Sequence, residues 1–267
     1  MHKKRIIFTL LYDDGFFMLS RNFRLQKVGD LQWLKKNYNF SHIAFSIDEL
    51  IILDVTRGER NEDKFYDCVK SLSEECFIPI AAGGGIRTLE QARKLLFFGA
   101  DKVVLNYLVI KNPDIVSEIA KEFGQQSIVA SVDVKITGQE FTTWIDNGGV
   151  KCEQNLPKIL NNIESLPIGE LYLNSIDRDG TGNGFQIELL DCVPNLFPIP
   201  VILAGGAGKY MHFSEALKDA RVDAVATAHL FNFIGDGLEE NRNKLINENF
   251  DLVKWNVNLV TNLRKCL

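Results

Sequence analysis

The chain has 267 residues, 46% of them hydrophobic, enough for one large domain with a sizeable core. Lys plus Arg total 30 against 35 Asp plus Glu, a net charge of −5, which offers no basic surface for nucleic acid, and no apolar run is long enough to span a membrane. The Met1-His2-Lys3-Lys4-Arg5 start lacks the apolar stretch of a secretion signal. Five scattered cysteines and four histidines show neither disulfide nor ligand spacing, so a reducing cytoplasm, no metal and no other cofactor are expected.

Taken in order, residues 5–11 read as a buried first strand, with Asp13-Asp14-Gly15 as a turn. Residues 49–55 form the second strand, with Asp54 near its end, and 63–75 are helical. A third apolar run enters the glycine loop 83–85, after which Thr88 is placed to cap a helix opening with Glu90 and Gln91. The fourth strand ends at Asn106. Asn112 and Pro113 then open a helix ending at Phe123. Strand five, 127–134, delivers Asp133, and the polar insertion 135–149 looks like a hairpin. Strand six, 170–174, runs into Asp177-Arg178-Asp179-Gly180-Thr181-Gly182. Residues 199–203 lead to Gly205-Gly206, a helical stretch from Met211 and a last strand at 224–227. The tail, 250–267, is amphipathic and reads as a terminal helix packed on the outside, with membrane or partner binding as the alternative. This divides the chain into a body, 1–238, and a helical C-terminal segment, 239–267.

The strand, glycine loop, helix, strand pattern at residues 78–105 returns roughly 120 residues later, and both copies open with Ile-Pro. The same offset sets residues 6–11 against 128–133 and 53–56 against 175–178. Two related halves with about four strand–helix units each predict a closed (β/α)₈ barrel; an open doubly wound sheet is the alternative. In a barrel, ligands bind at the C-terminal ends of the strands, where Asp54, Gly85, Asn106, Asp133, Asp177, Asp179 and Gly206 all fall. Glycine loops entering helices present backbone N–H groups at the positive end of the helix dipole. A pair of them half a barrel apart suits a bisphosphorylated ligand, against the plain reading of two tight turns.

Asp133 ends a strand of otherwise small and apolar residues, a setting for a general acid or base; a carboxylate tied to Lys135 is the structural alternative. The duplicated position is Leu11, so a second acid is missing. Arg5, Glu49, Lys102 and Glu170 each start a strand. On spacing alone they form a balanced ring, either an ion-pair plug or a gate.

These motifs together resemble the cyclase-subunit family of imidazole glycerol phosphate synthase, over nearly the whole chain to about residue 235. They are Lys4-Arg5-Ile6-Ile7, Asp48-Glu49-Leu50-Ile51-Ile52-Leu53-Asp54, Ala82-Gly83-Gly84-Gly85-Ile86-Arg87, Gly99-Ala100-Asp101-Lys102-Val103, Ser175-Ile176-Asp177-Arg178-Asp179-Gly180-Thr181 and Gly205-Gly206-Ala207-Gly208. The resemblance implies a (β/α)₈ barrel that takes ammonia from a glutaminase subunit docked at its bottom. With that ammonia the family cleaves and cyclises a bisphosphorylated aminoimidazole-carboxamide ribonucleotide to imidazole glycerol phosphate. By resemblance, Gly84, Gly85, Asn106 and the following amide take one phosphate, and Asp179, Gly180, Gly206, Ala228 and His229 take the other. Asp133 matches one catalytic aspartate, Arg5, Glu49, Lys102 and Glu170 match an ammonia gate, and Asp101 matches a position facing the glutaminase.

The chain departs from the pattern at the substrate end. Leu11 stands where the family has its other catalytic aspartate, and Leu19 where a loop lysine is expected. Tyr107, Asn174, Ala204 and His229 replace small hydroxyl residues. The pattern resembles a branch whose members work with a glutaminase and a synthetase-like amidotransferase to add acetamidino groups to surface-glycan sugars. The histidine-pathway cyclase and a non-catalytic ammonia-channel scaffold are the other readings.

Overall fold

The computed structural model describes residues 3–38, 40–229 and 237–254. The main strands follow from near-continuous apolar runs, the signature of parallel strands covered on both faces. They are β1 (Arg5–Asp13), β4 (Glu49–Asp54), β5 (Ile80–Gly83), β6 (Lys102–Leu105), β7 (Ile128–Thr137), β10 (Glu170–Ser175), β11 (Val201–Ala204) and β12 (Ala224–Thr227). Each pairs in parallel with the next, β12 pairs with β1, and β7 pairs directly with β10, so the sheet closes into an eight-stranded barrel. The fold is a (β/α)₈ barrel.

Two antiparallel excursions sit on its C-terminal rim. β2 (Phe16–Arg21) and β3 (Arg24–Asp30) form a hairpin continuing β1, and β8 (Glu140–Ile145) and β9 (Val150–Asn155) continue β7. The insertion at 135–149 is thus a hairpin arm as expected, whereas the β2–β3 hairpin was not anticipated. The outer helices are α1 (Leu31–Asn37), α2 (Glu62–Ser73), α3 (Leu89–Phe97), α4 (Tyr107–Lys111), α5 (Pro113–Phe123), α6 (Leu156–Glu164), α7 (Tyr210–Lys218) and α8 (Gly237–Asn247). Thr88 caps α3 in a reciprocal capping box with Gln91. Asn112 occupies the cap position of α5 without bonding through its side chain, because the preceding one-turn helix α4 already fixes that backbone.

The two-residue period of the strands sorts every side chain. Ile6, Phe8 and Leu10 face outward into the helix-covered core, while Arg5, Ile7, Thr9 and Leu11 face inward. The same parity turns Glu49, Ile51 and Leu53 inward, as it does Lys102 and Val104, Val129, Ser131 and Asp133, and Glu170, Tyr172 and Asn174. A recurrent tie holds the strand entrances in register. Asp48 accepts from the Ile6 amide, Asp101 from Ile80 and Asp223 from Val201, all at 2.8–2.9 Å.

The chain end braces the barrel bottom. Arg242 of α8 is almost wholly buried and forms a bidentate pair with Asp48 at 2.8 Å for both bonds; it also donates to the Val253 carbonyl. The Lys4 amide donates to Asp251. An expected division after residue 238 falls within the first turn of α8. The expected terminal helix from 250 is corrected over 250–254, which run non-helically because these bonds use their backbone outside any helical ladder; 255–267 lie outside the described residues. Among the described residues, no helix is long and apolar enough to cross a membrane.

Candidate active site

Inside the barrel the residues stack in three tiers. At the bottom, Arg5 Nη1 lies 3.2 Å from Glu49 and also meets Glu170; Lys102 Nζ lies 2.9 Å from Glu49 and 2.8 Å from Glu170. Each acid touches both bases, so the four side chains close a ring of alternating charge. Burial raises the Glu49 carboxyl against the opposing pull of Lys102. For Lys102 burial works downward, but Glu49 and Glu170 outweigh it and hold the ammonium above its usual range.

The middle tier is apolar: Ile7, Ile51, Ala81, Val104, Val129, Ile202 and Ala224, joined by the ring of Tyr172. Above it opens a pocket of about 1250 Å³, counting the space at its mouth. Gly84, Gly85, Asn106, Asp133, Asp179, Gly180, Gly206, Ala228 and His229 all line it, as does Leu11. The ring residues lie at the opposite end of the strands. Asp101 is exposed at that lower end, one of its carboxylate oxygens occupied by the Ile80 amide.

The two glycine loops are built alike. Gly84 and Gly206 have φ of 109° and 106°, a region costly for any residue with a Cβ. A Cβ would also lie 2.1 Å from the Asp54 carbonyl at the first and 2.1 Å from the Gly184 carbonyl at the second. Glycine is therefore required by close backbone approach at both. Each loop leads toward the N-terminus of a helix, α3 or α7.

Asp133 is buried at the pocket floor. Its Oδ1 accepts from Asn174 Nδ2 at 2.9 Å, and Oδ2 lies 3.4 Å from Asn106 Nδ2. Burial pushes the carboxyl up to about 7; Asn174 pulls it back, and Asp179 adds to the rise. The alternative tie to Lys135 is ruled out, because that ammonium lies over the Trp144 ring on the hairpin arm. Asp179 is also raised by burial and accepts from Ser20 Oγ and the Phe23 amide, which docks the β2–β3 turn onto the pocket rim. Burial lowers the His229 imidazole. Among the departures from the family pattern, Asn174 orients Asp133, Tyr107 lies under the Arg87 guanidinium at 3.9 Å, and Ala204 joins the apolar tier.

Sequence reasoning missed Arg57, Arg60, Arg87 and Phe23, all in the pocket wall. The signal for two of them was present: Thr56-Arg57-Gly58-Glu59-Arg60 directly follows the C-terminal end of β4, where barrel loops meet ligands. Among the described residues no cluster of His, Cys, Asp or Glu is arranged to hold a metal ion. The four described cysteines are free thiols, and Cys266 lies outside the described residues.

Comparison with known proteins places this architecture. A family model described as "Histidine biosynthesis protein" matches residues 32–235. A protein of Parasynechococcus marenigrum (strain WH8102) named "Putative imidazole glycerol phosphate synthase subunit hisF2" is 50% identical over 242 residues, covering 91% of this chain and 90% of the relative. The chain belongs to the HisF family. The HisF subunit of imidazole glycerol phosphate synthase from Pyrobaculum aerophilum is 42% identical over 220 residues, 82% of this chain and 85% of the relative. That of Hydrogenobaculum sp. (strain Y04AAS1) is 39% identical over 235 residues, 87% and 92%. In this HisF-type barrel the glycine loops, the pocket and the charged ring are all present, and the inward position of β1 facing the pocket is a leucine.

Proposed function

We propose that this chain is a HisF-like subunit of a glutamine amidotransferase complex that receives ammonia from a glutaminase docked at the barrel bottom. Its role is in a branch that supports acetamidino formation on surface-glycan sugars. The observation that carries this reading is the contrast between the two ends of the barrel. The ring of Arg5, Glu49, Lys102 and Glu170 is complete, while the pocket presents Leu11 on β1, across the barrel from Asp133 on β7, where a second proton-transfer group would stand. A leucine moves no proton, and loss of a positioned acid or base costs about 10²–10⁴-fold in rate. In this reading the ring gates ammonia, and Asp133 alone handles protons. Gly84, Gly85, Asn106 and the Tyr107 amide bind one phosphate, and Asp179, Gly180, Gly206, Ala228 and His229 bind the other.

The bottom face suits a partner. Phe77, Phe97 and Leu196 are 70, 85 and 97% exposed, and each precedes a strand entrance, at the same end as the ring and Asp101. Phe77 and Phe97 precede the neighbouring strands β5 and β6 and offer a partner apolar surface to cover, with Leu196 across the barrel before β11. The glutaminase occupies this face in the reading, and a synthetase-like amidotransferase completes the pathway branch.

A second reading, the histidine-pathway cyclase, is favoured by Asp133 itself. A carboxyl with a pKa of about 7 is close to the ideal for serving as acid and base in turn at neutral pH. A non-catalytic scaffold that only conducts ammonia is the third. The deciding experiment incubates the folded chain with ammonium and the aminoimidazole-carboxamide ribonucleotide and follows imidazole glycerol phosphate, with Leu11→Asp in parallel. The expected result is no turnover by the wild-type chain. Turnover by the wild type establishes the cyclase and removes the weight placed on Leu11.

A further inference from the structure

The two ends of the pocket are electrically unlike. Beside the Gly84–Gly85 loop the wall carries Arg57, Arg60 and Arg87 with the acids Asp54 and Asp146; at the Gly206 end it carries Asp179 and His229, and among the described residues no lysine or arginine lines it there. The register that sets Leu11 against Asp133 also sets Arg57 against Asp179, so related positions of the two halves bear opposite charges.

The three arginines are not equally engaged. Arg87 is paired with Asp146 and rests on Tyr107. The contacts of Arg57 are neutral carbonyls, those of Phe23 at 2.7 Å and Asn147 at 3.5 Å. Arg60 lies against Gly85, so close that a Cβ there would be 2.7 Å from its Cζ. Its nearest carboxylate oxygen, on Asp54, is 3.5 Å away, and its Nε is buried without a hydrogen-bond partner. That Nε is covered and faces Asp54, so a ligand would meet the rest of the guanidinium, which lines the pocket wall.

The space for such a ligand exists. A side cavity of about 650 Å³, counting its open mouth, shares Arg57, Arg60, Asp146 and Asn147 with this end of the pocket; the Asp146 carboxylate in its wall is paired with Arg87. A single phosphate seated on the Gly84–Gly85 loop leaves this annex and Arg57 unused.

We infer that this end of the pocket takes two adjacent anionic groups, a diphosphate, with Arg60 and Arg57 as the residues that select it over a monophosphate. The inference rests on the reading that this pocket is the substrate site, and it names the ligand class at one end of it. One phosphate sits on the glycine loop. The other sits between the guanidiniums, where Arg60 supplies the fork suited to phosphate oxygens.

The test is calorimetric titration of the isolated chain with inorganic pyrophosphate and, separately, inorganic phosphate, without ammonia or glutaminase. The wild-type chain is expected to bind one pyrophosphate at least about tenfold tighter than phosphate, the share that a charge-assisted hydrogen-bond pair supplies. Arg60→Gln is expected to erase that preference while leaving phosphate affinity within about threefold. Arg57→Gln, at an exposed loop position, is expected to reduce it in the same direction. Equal affinity for the two anions, or a preference that survives both substitutions, overturns the inference. Because neither glutamine hydrolysis nor cyclisation is read, the proposed subunit function stands or falls separately.

Discussion

Asp133→Asn separates the cost of the site from its use. In the folded chain the Asp133 carboxyl is pushed from 3.8 up to about 7 by burial. An unfolded aspartate titrates near 3.9. Below about pH 4 both states are protonated and the group is neutral toward stability. As pH rises the unfolded chain releases its proton first, so the native state is penalised increasingly until about pH 7, after which the penalty is constant. Roughly three pH units at about 1.4 kcal/mol each give ~4 kcal/mol as the upper limit. Asp133 retains 9% accessibility through the pocket, and the water that reaches it reduces this to about 2–4 kcal/mol. The asparagine keeps an Oδ1 for the 2.9 Å bond from Asn174 and gives up the 3.4 Å contact with Asn106, which still donates to the Ser131 carbonyl at 3.0 Å. That loss is worth less than about 1 kcal/mol. The variant is therefore expected to be more stable than the wild type above neutral pH, and its advantage to grow by roughly 1.5–3 kcal/mol between pH 5 and pH 8. Urea denaturation of both proteins at the two pH values measures it. A stability difference that does not change with pH refutes the assignment of a raised carboxyl to Asp133.

Two further outcomes follow from buried charges. Lys102→Ala leaves Glu49 and Glu170 facing each other with Arg5 as their one remaining basic partner in the ring; the chain is expected to lose roughly 3 kcal/mol in a denaturant titration and to change glutamine hydrolysis when assayed with the glutaminase. Unchanged coupling sinks the gate role. Arg242→Met strips Asp48 of a bidentate partner and is expected to cost about 3–5 kcal/mol. A midpoint equal to that of the wild type means the clasp at the barrel bottom is not what holds α8.

What was legible in the sequence was whatever the chain repeats or buries continuously. Gly84 and Gly206 announced themselves because backbone approach permits nothing else at either position, and Arg5, Glu49, Lys102 and Glu170 could be placed at strand starts because the strands could be counted. The β2–β3 hairpin was hidden because β3, Arg24–Asp30, is polar and largely exposed, without a clean alternation; it is held by the Asn22 and Phe23 amides on Asp179, far away in sequence. Arg57 and Arg60 follow the C-terminal end of a barrel strand, but only the folded barrel brings them to a cavity wall. Arg242 follows two glutamates on a helix of low apolar content, which reads as an exposed face; its burial depends on Asp48, 194 residues away.

The apolar tier has a consequence for traffic between the ends. Glu170 and Asn174 lie on one strand, four residues apart, which is about 13 Å. The stretch between salt ring and pocket is thus barely one layer of aliphatic side chains, a thin insulator with fixed charge on one side and a protonatable acid on the other. An ion entering it would surrender its hydration with nothing in return, whereas a small uncharged molecule would lose little. In the proposed role the barrel would therefore discriminate by charge over a span shorter than three turns of helix, and the protonation state of ammonia leaving the ring would decide whether it arrives at Asp133.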